Sequence, residues 1–248
     1  MGKTRLSIVI ATYNSEKTLR LALNSVVNQQ FEDWECIIVD GASTDSTMDI
    51  ARQYAAKDSR IKYISETDKG IYDALNKGWK LANGEWIYVL GSDDTVTDNG
   101  LDELLKECGD YDVVYGNAYI KKATGEIKKF VAKKVKALSY VMICSHQAVI
   151  VRKDVISRLN GFNLDYKVRA DFDLLQRAYL SGSKFKYVNT FVAYFASTGY
   201  SSSVNISTHF ERYRICKNNK STSFPLFWYC YQESKFLFRH FILNKIKS

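Results

Sequence analysis

Four times within the first 94 residues an apolar run ends at a polar turn, and three of those turns open onto a helical pattern. Residues 6–13 read as a strand. Residues 16–30 carry Leu19, Leu23, Val26 and Val27 at amphipathic-helix spacing, with Ser15 as the expected cap. Residues 36–40 are a second strand, turning through Gly41 to Asp45 into a helix marked by Met48, Ile50, Ala51 and Tyr54. Residues 61–64 are a third, followed by a helix over 71–82 that Asn83-Gly84 closes. The fourth, from Trp86 to Leu90, runs into Gly91-Ser92-Asp93-Asp94. Strands alternating with helices predict an α/β fold, a mainly parallel sheet flanked by helices.

In such a sheet the ligand crevice lies beyond the carboxyl ends of the strands. Four polar groups fall there in order: Thr12-Tyr13-Asn14, Asp40-Gly41, residues 66–70 with Asp68 and Gly70, and Asp93-Asp94. A carboxylate such as Asp40 can accept from the N3–H of a uracil, with Thr12 or Tyr13 lining a base pocket; it can also simply stabilise its turn. Asp93 and Asp94 repel one another, and a divalent cation relieves that. With three histidines in the chain and carboxylates at the site, the ion expected is hard, Mg²⁺ or Mn²⁺, bridging to phosphates. The competing reading, a capping pair for the helix containing Leu101, is weaker because Thr97 and Asp98 stand closer to that helix.

After residue 115 the alternation stops. Residues 119–130 read as a hairpin with a Thr-Gly turn, 147–151 as a strand, 154–159 and 171–180 as helices, and 185–195 as a strand pair. A polar loop, 197–203, has the composition of a lid. Beyond it the chain reads as helical, broken at Pro225, the only proline. This gives an expected division into a main domain, 1–205, and an aromatic, basic extension, 206–248.

Charge is distributed unevenly along the chain. Residues 1–119 hold 12 Lys and Arg against 20 Asp and Glu, whereas residues 120–248 hold 23 against 7. A basic second half suits an anionic partner, or is a solvated face. The segment from Phe224 to Leu243 mixes aromatics with Lys235 and Arg239; it suits the headgroup layer of an anionic membrane surface, or packing on its own domain. Five widely spaced cysteines with no C-x-x-C pair argue against a disulfide framework or zinc site, and no apolar leader precedes the first strand. The expectation is a cytoplasmic protein, peripheral on the inner face of the membrane if the basic half docks there.

The stretches Ser7 to Asn14, Ile37 to Asp45, Asp68 to Gly78 and Leu90 to Asp94 together resemble the inverting glycosyltransferases of family 2, over about residues 6–200. The resemblance implies the GT-A fold, a Rossmann-like sheet, and transfer of a sugar from a nucleotide-diphosphate donor, UDP-linked, to a saccharide or lipid-linked acceptor in surface polysaccharide assembly. It implies donor contacts at Thr12, Tyr13, Asn14, Asp40, Asp68, Gly70 and Asp93, and metal at Asp93 and Asp94. Many members carry Asp-x-Asp where this chain begins with Gly91. Arg169-Ala170-Asp171-Phe172-Asp173 looks like the motif supplying the catalytic base; Ala170 replaces its first acid, leaving Asp171, which also suits a helix cap. Ser145-His146-Gln147 resembles an acceptor-side segment, so His146 touches diphosphate or acceptor, or is structural. A nucleotidyltransferase would need a glycine-rich phosphate loop that residues 12–15 do not offer, and a nucleotide-sugar sensor would bind without turnover. Nucleic acid is not an expected partner.

Overall fold

The computed structural model describes residues 4–196, 206–221, 230, 231 and 234. Strands β1 (Leu6–Thr12), β2 (Trp34–Asp40), β3 (Ile61–Ser65) and β4 (Trp86–Gly91) pair in parallel in the order β3-β2-β1-β4. Every residue of β1 and β2 is buried, which is why they read as unbroken apolar runs. Alternate residues serve opposite faces. Val9, Val39 and Ile37 pack against helix α3 (Ile71–Leu81), while Ile8, Ile10 and Ile38 meet α1 (Leu19–Val27) and α2 (Thr47–Lys57).

The sheet continues through β8 (Val149–Arg152), antiparallel to β4, then β6 (Val113–Lys121), β9 (Phe185–Ala196) and the short β5 (Thr95–Val96). Strand β7 (Ile127–Phe130) pairs with β6 as the expected hairpin, turning at Gly125. Helices α4 (Gly100–Lys106), α5 (Lys153–Arg158), α6 (Ala170–Leu180) and α7 (Ile206–Asn218) complete the described fold. The sheet is mixed α/β and mainly parallel, as the alternation predicts.

Three local expectations are corrected. The first helix begins at Leu19, not Glu16, because Ser15 does not cap it: the Ser15 hydroxyl meets Tyr13 O and Ser92 Oγ instead. The segment 185–195 is one strand and not a pair; Asn189-Thr190 lies in a register shift against β6, where Asn189 Oδ1 accepts from Asn117 Nδ2 at 3.2 Å. Residues 146–148 form a 3₁₀ turn ahead of β8, so that strand starts at Val149.

Helix α7 seats Ile215 and Cys216 in the same core as Phe172 and Leu175 of α6. The lid segment 197–203 and most of 222–248 lie outside the described residues. Among the described residues no helix is long and apolar enough to cross a membrane.

Candidate active site

The carboxyl ends of β1 and β4, the loop after β3 and the start of α6 surround a cleft of about 1050 Å³. Thr12, Tyr13, Asn14, Asp68, Gly70, Asp93, Asp94, His146 and Asp171 all line it. Asp40 does not. It sits at the end of β2, fully buried, where Oδ1 accepts from Thr12 Oγ1 (3.1 Å) and Ser43 Oγ, and Oδ2 from Ser43 N (2.9 Å) and Ser65 Oγ (2.7 Å). Burial alone would raise its pKa, but these donors outweigh it and hold the carboxyl below the ordinary value. Four donors fill the capacity of a carboxylate, so Asp40 meets a base only if one hydroxyl turns away.

Tyr13, 64% exposed, stands at the mouth of the cleft, and Asn14 at φ 48° accepts from Thr44 N through Oδ1. Asp68 accepts from Gly70 N at 2.8 Å; Gly70, at φ 115°, adopts a conformation closed to most side chains and leads the chain into α3.

The acidic pair divides into an exposed and a buried member. Asp93 faces solvent, whereas Asp94 is 4% exposed. Asp94 Oδ2 accepts from Gln147 Nε2 and its Oδ1 from Ala196 N (3.0 Å). Burial, with the charge of Asp93 added, holds the Asp94 carboxyl above its ordinary range despite the pull of His146. Gly91 is part of this arrangement. A Cβ at that position would stand 2.3 Å from Asp94 Oδ2, so the absent first acid leaves the space the Asp94 carboxylate occupies.

Asp171 lies in the first turn of α6, with Oδ1 accepting from Phe172 N (2.8 Å). The Tyr72 hydroxyl donates to Val168 O (2.7 Å) and reaches within 3.3 Å of Asp171 Oδ1. Burial, reinforced by the Asp171 charge, pushes the Tyr72 phenol well above 10, so it stays a neutral donor. His146 Nδ1 is 3.7 Å from Asp171 Oδ2. The tripeptide Ser145-His146-Gln147 therefore reaches two of the cleft's acids, Asp94 through Gln147 and Asp171 through His146. Tyr88 of β4 anchors it by donating to Gln147 O at 2.9 Å.

Three contributors escape sequence reasoning. Gln147 is buried, and although it stands in the Ser145-His146-Gln147 segment the sequence gives it no role of its own beyond a strand start. Glu211 of α7 accepts from the backbone N–H groups of Lys167, Val168 and Arg169 (2.7, 3.0 and 3.1 Å), fixing the loop that delivers Asp171. Asn76 grips Phe162 through both its carbonyl and its N–H. No local pattern marks partners 44 or 86 residues away.

The family model described as glycosyl transferase family 2 matches residues 7–158, more than half of the chain. This chain belongs to glycosyl transferase family 2. Of the nine residues singled out from the sequence that line the cleft, the matched stretch holds all but Asp171, which lies beyond it. A PGL/p-HBAD biosynthesis glycosyltransferase of Mycobacterium tuberculosis is 33% identical over 184 residues, covering 72% of this chain and 71% of the relative. The GalNAc(5)-diNAcBac-PP-undecaprenol beta-1,3-glucosyltransferase of Campylobacter jejuni is 32% identical over 132 residues, 52% of this chain and 43% of its own. Among solved structures, S. aureus TarS residues 1–349 in complex with UDP-GlcNAc superposes with a TM-score of 0.69 at 21% identity, over 87% of this chain and 66% of that one. The Pyrobaculum calidifontis mannosyltransferase PcManGT, in complex with GDP-Man and Mn²⁺, gives 0.63 at 18% identity, over 85% and 60%. These two likenesses establish the GT-A fold of the family 2 enzyme.

Proposed function

We propose that this glycosyltransferase is an inverting, metal-dependent enzyme that moves a sugar from a nucleotide-diphosphate donor, UDP-linked, to a saccharide or lipid-linked acceptor in surface polysaccharide or glycolipid assembly. The observation that carries this reading is the single cleft joining the Asp93-Asp94 end of β4 to Asp171 of α6. The donor nucleoside lies along Thr12, Tyr13, Asn14, Asp68 and Gly70, with Asp40 reached by turning aside one of its hydroxyl donors. Solved structures of the same fold carry UDP-GlcNAc or GDP-Man with Mn²⁺, the mycobacterial relative is named for PGL/p-HBAD biosynthesis, and the Campylobacter relative for a PP-undecaprenol-linked saccharide that it glucosylates.

The acidic pair fits a hard cation. Asp93 is an exposed carboxylate and Asp94 keeps a lone pair on each oxygen, so the two would hold Mg²⁺ or Mn²⁺, whose chemistry is with oxygen ligands. Such an ion would offset charge developing on the leaving diphosphate. The chain's own groups do the rest. Asp171 takes the proton of the acceptor hydroxyl as its oxygen bonds the anomeric carbon from the face opposite the donor phosphate, and the bond to that phosphate breaks. Phe172 N orients the carboxylate, the Tyr72 hydroxyl packs beside it while donating to Val168 O, and His146 stands on the acceptor or phosphate side.

The test is nucleoside diphosphate release from a panel of nucleotide sugars with Mn²⁺, with and without EDTA, and by Asp171→Asn with acceptor present. Release that survives EDTA overturns the metal role, and undiminished transfer by Asp171→Asn overturns the base assignment. Donor binding with no turnover against any acceptor would make the protein a sensor.

A further inference from the structure

From residue 113 to residue 151 the chain carries seven lysines and a single acid, Glu126. The fold gathers them on and beside the β6–β7 hairpin, where Lys121, Lys128, Lys129, Lys133, Lys134 and Lys136 are all exposed. Glu126 is already neutralised, 2.8 Å from Lys122 Nζ and 3.6 Å from Lys128 Nζ. Two aliphatic side chains stand in the open among these charges, Ile127 at 53% and Val131 at 60% exposure. β7 pairs only with β6 among the described strands, so the hairpin lies at the margin of the sheet. Lysines around exposed aliphatic residues match a bilayer bearing acidic headgroups, with cations meeting phosphate and the aliphatic groups entering the interface.

The patch adjoins the cleft. The Phe130 ring meets Phe195 edge-on, centroids 6.2 Å apart, and Phe195 lines the cleft, as does Met142 from the segment that follows the hairpin. Helix α7 ends beside the same segment, Ser221 Oγ donating to Ser139 O at 2.8 Å, which adds exposed Lys217 and Lys220.

We propose that the β6–β7 hairpin and the lysines after it are a docking surface for an anionic lipid bilayer, which holds the cleft mouth at the membrane surface. The purpose of such docking rests on the lipid-linked acceptor reading, but the docking is measured without any sugar substrate. Failure of one therefore does not disguise failure of the other.

The experiment is flotation of the full chain with vesicles of phosphatidylcholine, alone or with about a quarter phosphatidylglycerol, at low and high salt. Binding is expected to the acidic vesicles only, weakening with salt. A lysine near an anionic surface contributes about fivefold in partition, so Lys121→Gln/Lys128→Gln/Lys129→Gln should lose about a hundredfold. Ile127→Asn should lose binding with no change of charge. Thermal melts show that each variant is folded, and donor turnover with a water-soluble acceptor should be unchanged. Equal binding to neutral vesicles overturns the proposal. So does full binding by the folded lysine variant, loss of binding only when Lys235, Arg239, Lys245 and Lys247 are changed, or tight salt-sensitive binding to RNA with none to acidic vesicles.

Discussion

Gly91→Ala should destabilise this enzyme by an amount out of proportion to one added methyl group. The new Cβ would stand 2.3 Å from Asp94 Oδ2, a carboxylate only 4% exposed, so the carboxylate must swing away. Its two partners, Gln147 Nε2 and Ala196 N, then lose their acceptor. A buried donor left unpaired costs about 1–3 kcal/mol, and Gly→Ala returns about 0.4–1 kcal/mol by restricting the unfolded chain. The net expectation is a loss of about 2–4 kcal/mol. It is measured by urea denaturation, as a fall in the midpoint at constant slope. The decisive arm is a double-mutant cycle. In an Asp94→Ala background there is no carboxylate to displace, so adding Gly91→Ala should cost close to nothing, giving a coupling of about 2 kcal/mol or more. Costs that add to within about 0.5 kcal/mol would show that Asp94 does not occupy the space over Gly91, and the account of the missing acid would fall. By the same reasoning, Gly91→Asp should weaken the protein and not improve its hold on a cation.

Asp171→Asn should lower transfer by about a hundredfold or more with donor binding retained, checked by nucleoside diphosphate release beside donor titration. Gln147→Leu frees Asp94 from its buried partner and should raise the Mn²⁺ concentration for half-maximal turnover by about tenfold to a hundredfold; an unchanged metal dependence refutes that link. Glu35, 5% exposed, is pushed up by burial but pulled down to about 2 by donation from Asn83, Lys62 and Ser7. Its folded value lies below its ordinary 4.5, so its contribution, at most about 3 kcal/mol, is present above pH 4.5 and lost as pH falls toward 2. Glu35→Gln should be less stable than the parent at pH 7 and closer to it at pH 3, and an equal deficit at both would contradict the assignment.

The half built on β1 to β4 was legible because its central strands are buried on both faces and each strand ends in a polar turn: Val9 and Ile8 report on opposite helices, yet both must be apolar. Local pattern is informative where one side chain answers to its neighbours in sequence. It misleads over 185–195, expected as two strands but one strand carrying a register shift, and at Ser15, whose hydroxyl answers to Ser92, 77 residues away. The cleft's residue types were readable, but their division was not. Nothing in the pair Asp93-Asp94 says which is exposed, because that is decided by Gln147 and Ala196 arriving from elsewhere in the chain. Asp40 likewise reads as an available acceptor until Ser43, Ser65 and Thr12 are seen to fill it.

The grip of Glu211 on the loop of Lys167, Val168 and Arg169 sets an order of events during synthesis. Strands β1 to β4, and with them Thr12, Tyr13, Asn14, Asp68 and Gly70 of the cleft, are complete by residue 91, well over a hundred residues before the ribosome delivers Glu211. A nascent chain can therefore assemble that end of the cleft while the loop leading to Asp171 is still unclamped. A cut placed between β9 and α7 would leave the loop ahead of Asp171 in that immature condition, its three N–H groups without the carboxylate that holds them.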